Sequence, residues 1–230
     1  MAVSLNNVTK KYGDRTVLSG LNLTFGDGKI NCVLGPSGSG KTTILHVLAG
    51  LTDYEGKVER PEKISYIFQD SRLIPHLTVW ENVEYVLLDV KKEDRAPLIK
   101  KLLELTEIYD RRNDKPVSLS GGMARRVAMA RAYAYPSELL LMDEPFSALD
   151  LGLKLRQMEV YNGLFREFPR TSVFVTHDID EALLFADTVT VLKKSGGISD
   201  EFTLEAPREG RDLFSAYFTG LKSRLYGLLK

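Results

Sequence analysis

The sequence predicts an α/β fold with a mostly parallel sheet. Three observations carry that prediction. Short apolar runs of strand length alternate with stretches of helical periodicity, a glycine loop at residues 35–43 stands between one such run and a helix, and one long helical block interrupts the strands at residues 80–134. With 230 residues and 43% hydrophobic content the chain can build an ordinary core. No repeat, low-complexity tract or linker divides it, so a single domain over residues 1–230 is expected.

The elements follow in order. Val3, Leu5 and Val8 alternate, and residues 16–25 continue as a second strand after the turn Tyr12-Gly13-Asp14. Residues 29–34 (KINCVL) make a buried strand that runs into the glycine loop, and residues 41–48 are helical with Gly50 as the stop. Residues 57–59 and 64–68 are further strands. From Trp80 the pattern changes: Val83, Val86 and Leu87, then Leu98, Leu102, Leu103 and Leu105, recur at helical spacing, so a helical subdomain is expected over about 70–135. Strands return at 139–142, 172–175 and 188–192, separated by helices at 153–165 and 179–185. Leu213, Phe214, Tyr217, Phe218, Leu221 and Leu225 predict an amphipathic helix over about 211–229, its apolar face docked on the core or on a partner.

Composition narrows the function. Lys plus Arg and Asp plus Glu balance at 31 each, so no charge excess advertises a polyanion, and nucleic acid is not an expected partner. The single cysteine, Cys32, lies in an apolar run and is expected to be a small buried hydrophobe. No signal-peptide pattern opens the chain and no stretch approaches the roughly 18 apolar residues of a membrane span. A cytoplasmic protein is expected; at a membrane, other subunits would supply the membrane part.

The strongest chemical motif is "GPSGSGKTT", Gly35, Pro36, Ser37, Gly38, Ser39, Gly40, Lys41, Thr42 and Thr43, between a strand and a helix. Glycines let consecutive backbone N–H groups turn toward phosphate oxygens, and the helix N-terminus adds its dipole. Lys41 can neutralise β- and γ-phosphate charge, Thr42 offers Mg²⁺ a hydroxyl, and Thr43 can donate to an α-phosphate. A second motif, "LLLMDEP", is an apolar strand ending in two carboxylates, which is costly unless something cationic or reactive is near. Asp143 suits the shell of Mg²⁺ and Glu144 suits a general base acting on water. A third, "SLSGGMARR", places Gly121 and Gly122 before a helix but has no lysine for a phosphate, so it is either a spare turn or half of a site completed by another molecule. His46 and His76 have no third ligand at metal spacing, and no zinc site is expected.

The order of glycine loop, Gln69 in "YIFQD", "LSGGM", "LLLMDEP", "SALD" and His177 in "VTHD" resembles the ATPase subunit of ATP-binding cassette (ABC) transporters across nearly the whole chain. The resemblance implies a P-loop NTPase, RecA-like core with an N-terminal antiparallel β subdomain and an inserted helical subdomain. It also implies two copies paired head to tail, with ATP and Mg²⁺ sandwiched between the P-loop of one and Ser120, Gly121 and Gly122 of the other. By position, Tyr12 resembles the residue that stacks on adenine, Gln69 the one that touches Mg²⁺ and attacking water, and His177 the one that bonds the γ-phosphate. Residues 147–150 would line the dimer seam, and Asp150 also suits a helix cap. Glu144, His177, Gln69 and Lys41 form the expected catalytic set. One position departs from the family: the usual glutamine after the two glycines is Met123, so retained activity with an altered ATP affinity or dimer lifetime is expected.

"VTHDIDEALLFADTVTVL" looks like the importer pattern, and "FQDSRLIPHLTVWENV" with the tail "FTLEAPREGRDLFSAYFTGL" resembles subunits serving nitrate, sulfonate and taurine uptake. The implied partners are integral membrane permease subunits docking near residues 70–90 and, indirectly, an extracytoplasmic solute-binding protein. The implied location is the inner face of the cell membrane. A non-transport cassette or an export-type subunit is the alternative. A P-loop kinase would explain Lys41 but leave the signature, Gln69 and His177 without purpose.

Overall fold

The computed structural model describes residues 3–147 and 149–229. Its strands form two sheets. In the smaller, β1 (Val3–Tyr12) lies between β2 (Arg15–Phe25) and β4 (Glu55–Glu59), both antiparallel to it. Tyr12 pairs with Arg15 around the tip at Gly13, whose φ of 57° is the left-handed turn conformation that glycine adopts without strain.

The larger sheet has the order β5-β6-β7-β3-β8-β9, from β3 (Ile30–Leu34), β5 (Ile64–Ile67), β6 (Leu139–Asp143), β7 (Thr171–Thr176), β8 (Thr188–Leu192) and β9 (Ile198–Thr203). Its first five strands in that order are parallel; β9 runs antiparallel to β8. Every residue of β3, β6 and β7 is buried, as suits strands covered on both faces. Because these strands are parallel, the segments after β3, β5, β6 and β7 emerge at one edge of the sheet. Gly35, Gln69, Glu144 and His177 all belong to those segments, at the carboxyl ends where open α/β sheets hold ligands.

Alternation of side chains across the sheet divides the core in two. Leu139 and Leu141 of β6 point, with Val173 and Val175, to the side of α1 (Lys41–Ala49) and the small sheet. Leu140 and Met142 point with Phe174 to the other side. There they meet α2 (Val79–Glu84), α3 (Lys92–Leu105), α4 (Gly121–Ala134), α5 (Leu151–Glu167), α6 (Ile179–Phe185) and α7 (Ala216–Leu228). Helix α1 stops at Gly50, φ 69°, as its position past the last apolar residue predicts. A reciprocal capping box between Thr78 and Glu81 starts α2.

Two elements differ from the sequence expectation. Strand β9, ISDEFT, has only two large apolar residues and no buried position, so nothing in its pattern announces a strand; it forms because the edge of β8 offers it a ladder. Helix α7 starts at Ala216 with Ser215 as N-cap, leaving Leu213 and Phe214 ahead of it and Phe214 94% exposed. Of the six apolar residues in its pattern, Phe218 and Leu225 are fully buried. The turn between β8 and β9 also presses on the small sheet. Gly196, φ 82°, sits so close that a Cβ there would lie 2.2 Å from the Val17 carbonyl oxygen.

Candidate nucleotide site

The loop from Gly35 to Gly40 follows β3 and opens α1. Its shape requires glycine at two positions: Gly38 and Gly40 have φ of 79° and 96°, and a Cβ on Gly40 would lie 2.9 Å from Leu18 Cδ2. The Gly35 N–H donates to the Thr176 carbonyl at 3.3 Å, anchoring the loop to β7, and Ser39 N–H donates to Pro36 O at 3.2 Å. Ser39 is buried inside the loop with no hydrogen-bond partner for its hydroxyl. Lys41 folds over the loop, its Nζ donating to the carbonyls of Gly35 at 2.8 Å and Pro36 at 3.0 Å. Ser37, Gly38, Gly40, Lys41, Thr42 and Thr43 line a cleft of about 330 Å³ with Glu144, Arg15 and Val17.

The end of β6 supplies the carboxylates. Thr42 Oγ1 donates to Asp143 Oδ1 at 3.1 Å, leaving the hydroxyl's lone pairs for another partner. Burial raises the Asp143 carboxyl above its usual range, against the opposing effect of the Thr42 hydrogen bond. Burial likewise lowers Lys41, against the pull of Glu144 and then Asp143. Glu144 has φ 46°, an uncommon conformation for a residue with a Cβ, at a cost of about 1–3 kcal/mol. It is held there by its N–H on Val175 O at 3.1 Å and by Phe146, which packs edge-on against Tyr161, Phe174 and Phe185. The turn brings Glu144 Oε1 to 3.1 Å from His177 Nδ1, after β7.

The remaining predicted residues lie around this group. Tyr12 is half exposed at the hairpin tip, with the Lys10 ammonium 4.6 Å from its ring centroid. Gln69 is exposed just past β5, and its carbonyl is 3.5 Å from Arg125 Nη2. Ser120 is the N-cap of α4, accepting from Met123 N–H at 3.3 Å; a Cβ on Gly121 or Gly122 would meet nothing within 4 Å. None of these three lines the cleft. Met123 is partly buried against the main core, so its side chain fills a packing position. Of residues 147–150, Ala148 lies outside the described residues; Asp150 caps α5 by accepting from Leu153 N–H at 3.0 Å. Burial pushes the Cys32 thiol well up, and it is unreactive there.

Sequence reasoning missed Arg15 and Val17, which reach the cleft from the small sheet, and Arg125, whose Nη1 donates to Ser147 O at 3.0 Å. A basic residue just after the hairpin tip was the signal available for Arg15. Arg125 and Val17 carry none, because only the packing of separate elements brings them to the site.

A phosphate loop at the head of a central parallel strand, with a carboxylate pair one strand removed and a histidine against it, defines an α/β P-loop NTPase. The ABC transporter family profile matches residues 18–147. The aliphatic sulfonates import ATP-binding protein SsuB of Granulibacter bethesdensis is 44% identical over 229 residues, covering 99% of this chain and 94% of that protein. The spermidine/putrescine import ATP-binding protein PotA of Haemophilus ducreyi is 39% identical over 95% of this chain and 62% of its own length. The dimeric structure of MJ0796, a bacterial ABC transporter cassette, superposes with a TM-score of 0.78 at 34% identity, over 89% of this chain and all of that one. The same cassette is known in a post-hydrolysis state bound to ADP and Pi. The chain belongs to the ABC transporter family, as an ATPase cassette.

Proposed function

We propose that this chain is the ATP-hydrolysing subunit of an ABC importer, working as a dimer of two copies beneath separate permease subunits. The observation that carries this reading is a division of the site: Lys41, Thr42 and Glu144 line the cleft, with Asp143 bonded to Thr42 and His177 to Glu144, whereas Ser120, Gly121 and Gly122 open α4 and do not line it. A second copy, turned head to tail, would supply the missing donors.

In this reading the loop N–H groups and Lys41 hold the β- and γ-phosphates, and Thr43 serves the α-phosphate. Tyr12 stacks on adenine, a role its exposed ring permits. Thr42, Asp143 and Gln69 offer a hydroxyl, a carboxylate and an amide oxygen, the hard-oxygen set that fits Mg²⁺. When bound there, Mg²⁺ would supply Lewis-acid neutralisation of phosphate charge. Glu144 takes the proton of the attacking water, and Gln69 orients that water. Lys41, His177 and the partner's signature donors stabilise the charge on the transferring phosphoryl group. Closure of two chains assembles the site and hydrolysis reopens it.

Import is favoured over export by the import ATP-binding names of the relatives that match over almost the whole chain. Among the described residues no helix is long and apolar enough to cross a membrane. The import ATP-binding names of the relatives support separate permease subunits, and in this reading they dock on the surface around residues 70–90, where Tyr85 and Leu88 are 59% and 75% exposed. In this reading the protein works on the inner face of the cell membrane, and a solute-binding protein serves the far side. Sulfonate-type anions are the favoured solute class, from the same relatives.

The test is light scattering on Glu144→Gln with and without ATP. A dimer that forms only with ATP, and is lost in Ser120→Asp, supports the composite site. Aspartate keeps the α4 cap while setting a carboxylate against the nucleotide, so loss of the cap is not the cause. A monomer at saturating ATP, with wild-type hydrolysis independent of protein concentration, would instead favour a one-chain NTPase.

A further inference from the structure

We propose that Lys154 is a positioning residue that ties Asp150, at the start of α5, to His177, so that movement of one sets the other. The inference rests on the roles given to both in the preceding reading. Lys154 lies in the first turn of α5, its N–H on the Asp150 carbonyl at 2.9 Å. Its Nζ bridges two carboxylates on the next functional segment, Asp178 Oδ2 and Glu181 Oε1, both at 2.7 Å.

Those carboxylates hold both neighbours of His177. Asp178 caps α6, its Oδ1 accepting from Asp180 N–H at 2.8 Å and Glu181 N–H at 3.3 Å. Glu181 Oε2 accepts from the Thr176 hydroxyl at 2.5 Å, and the same hydroxyl accepts from Asp178 N–H at 3.1 Å. Thr176 and Asp178 are thus locked by side-chain bonds while the ring between them is 56% exposed and turned to Glu144. Hydrogen bonds of this length do not survive a displacement of about 1 Å, so a shift at the start of α5 must either carry the His177 loop along or break them.

Burial separates this cluster from an ordinary surface pair. Lys154 is 15% exposed, Glu181 4% and Asp178 33%, so solvent replaces the Lys154–Glu181 bond less readily than it does an exposed ion pair, which rearranges at little cost. The arrangement sets one cation against two anions. Loss of Lys154 leaves like charges facing each other beside His177 rather than merely deleting a contact.

The test compares wild type, Lys154→Met and Lys154→Arg as full chains. Lys154→Met is expected to lower kcat roughly 10- to 100-fold, as a misplaced catalytic group does. KM for ATP stays within about twofold, since the glycine loop and Lys41 that hold the phosphates are unchanged and His177 acts mainly on the transferring group. ATP-driven dimerisation, read in the Glu144→Gln background, persists. Lys154→Arg restores most of kcat, because it keeps the bridging cation. With only three histidines in the chain, the His177 ring resonance can be followed by NMR; it is expected to shift or broaden in Lys154→Met while those of His46 and His76 do not.

An unchanged kcat, an unmoved His177 resonance, or equal losses in the arginine and methionine variants would overturn the proposal. Should Lys154→Met not fold, Lys154→Met with Glu181→Gln relieves the charge excess, and the same kcat and resonance outcomes decide. Failure of wild type to hydrolyse ATP, or of Glu144→Gln alone to dimerise with it, would count against the underlying reading instead.

Discussion

Glu144 Oε1 and His177 Nδ1 stand 3.1 Å apart although 33 positions separate them in the chain. The pairing is a product of the sheet: β6 and β7 are parallel neighbours, so the residues just past their ends are brought side by side. In the proposed reaction Glu144 is the carboxylate that takes the proton of the attacking water. Replacing it with glutamine keeps shape and removes basicity. Steady-state hydrolysis by Glu144→Gln is expected to fall by roughly 10²-fold or more, with ATP binding retained in equilibrium titration.

Lys41 spends its ammonium donors on Gly35 and Pro36 carbonyls, a placement that keeps the charge at the loop. Lys41→Met is expected to weaken ATP binding roughly 10- to 100-fold, since a hydrogen bond to a charged group contributes about 1.5–3 kcal/mol. Calorimetric titration of the variant measures this directly.

Asp143 carries a pH signature. Burial raises its carboxyl pKa above the unfolded value, so folding takes up a proton there. Its contribution favours the folded chain at acid pH and is withdrawn as pH rises through the folded-state value. Asp143→Asn removes the buried charge and can still accept from Thr42. Without nucleotide, its melting temperature is expected to exceed that of wild type at neutral pH. The gap should close as pH approaches the ordinary carboxylate range near ~4. Calorimetric melts across that range check both the sign and the window.

Gly196 tests the contact between the β8–β9 turn and the small sheet. Gly196→Ala combines a left-handed φ, costing about 1–2 kcal/mol, with a Cβ driven against the Val17 carbonyl. Overpacking adds about 1–3 kcal/mol. A fall in melting temperature of at least ~4 °C is expected. Because Val17 lines the cleft, nucleotide affinity should fall as well; a thermal melt and a binding titration on one sample read both.

Much of this was legible in the sequence because the informative segments are local. The loop at Gly35–Thr43 announces itself by spacing, and β3, β6 and β7 by the short apolar runs CVL, LLLM and VFV, which suit doubly covered strands. Asp150 was readable as a cap. What escaped depends on distant partners. Strand β9 is made by the edge it joins, and Arg15 and Val17 matter only because the small sheet leans over the loop. The start of α7 was misplaced because Leu213 and Phe214 extend its apolar spacing without belonging to the helix. The positive φ of Glu144 has no sequence signal at all, since proline after it and a carboxylate side chain both argue for other conformations.

The separation of Lys41 from Ser120 on one chain has a genetic consequence. Each copy would be both donor and recipient, so two different lesions need not add up to a dead protein. Co-expressed chains carrying Lys41→Met and Ser120→Asp would pair to give one site with both defects and one with neither. Their mixture should recover hydrolysis that neither variant shows alone.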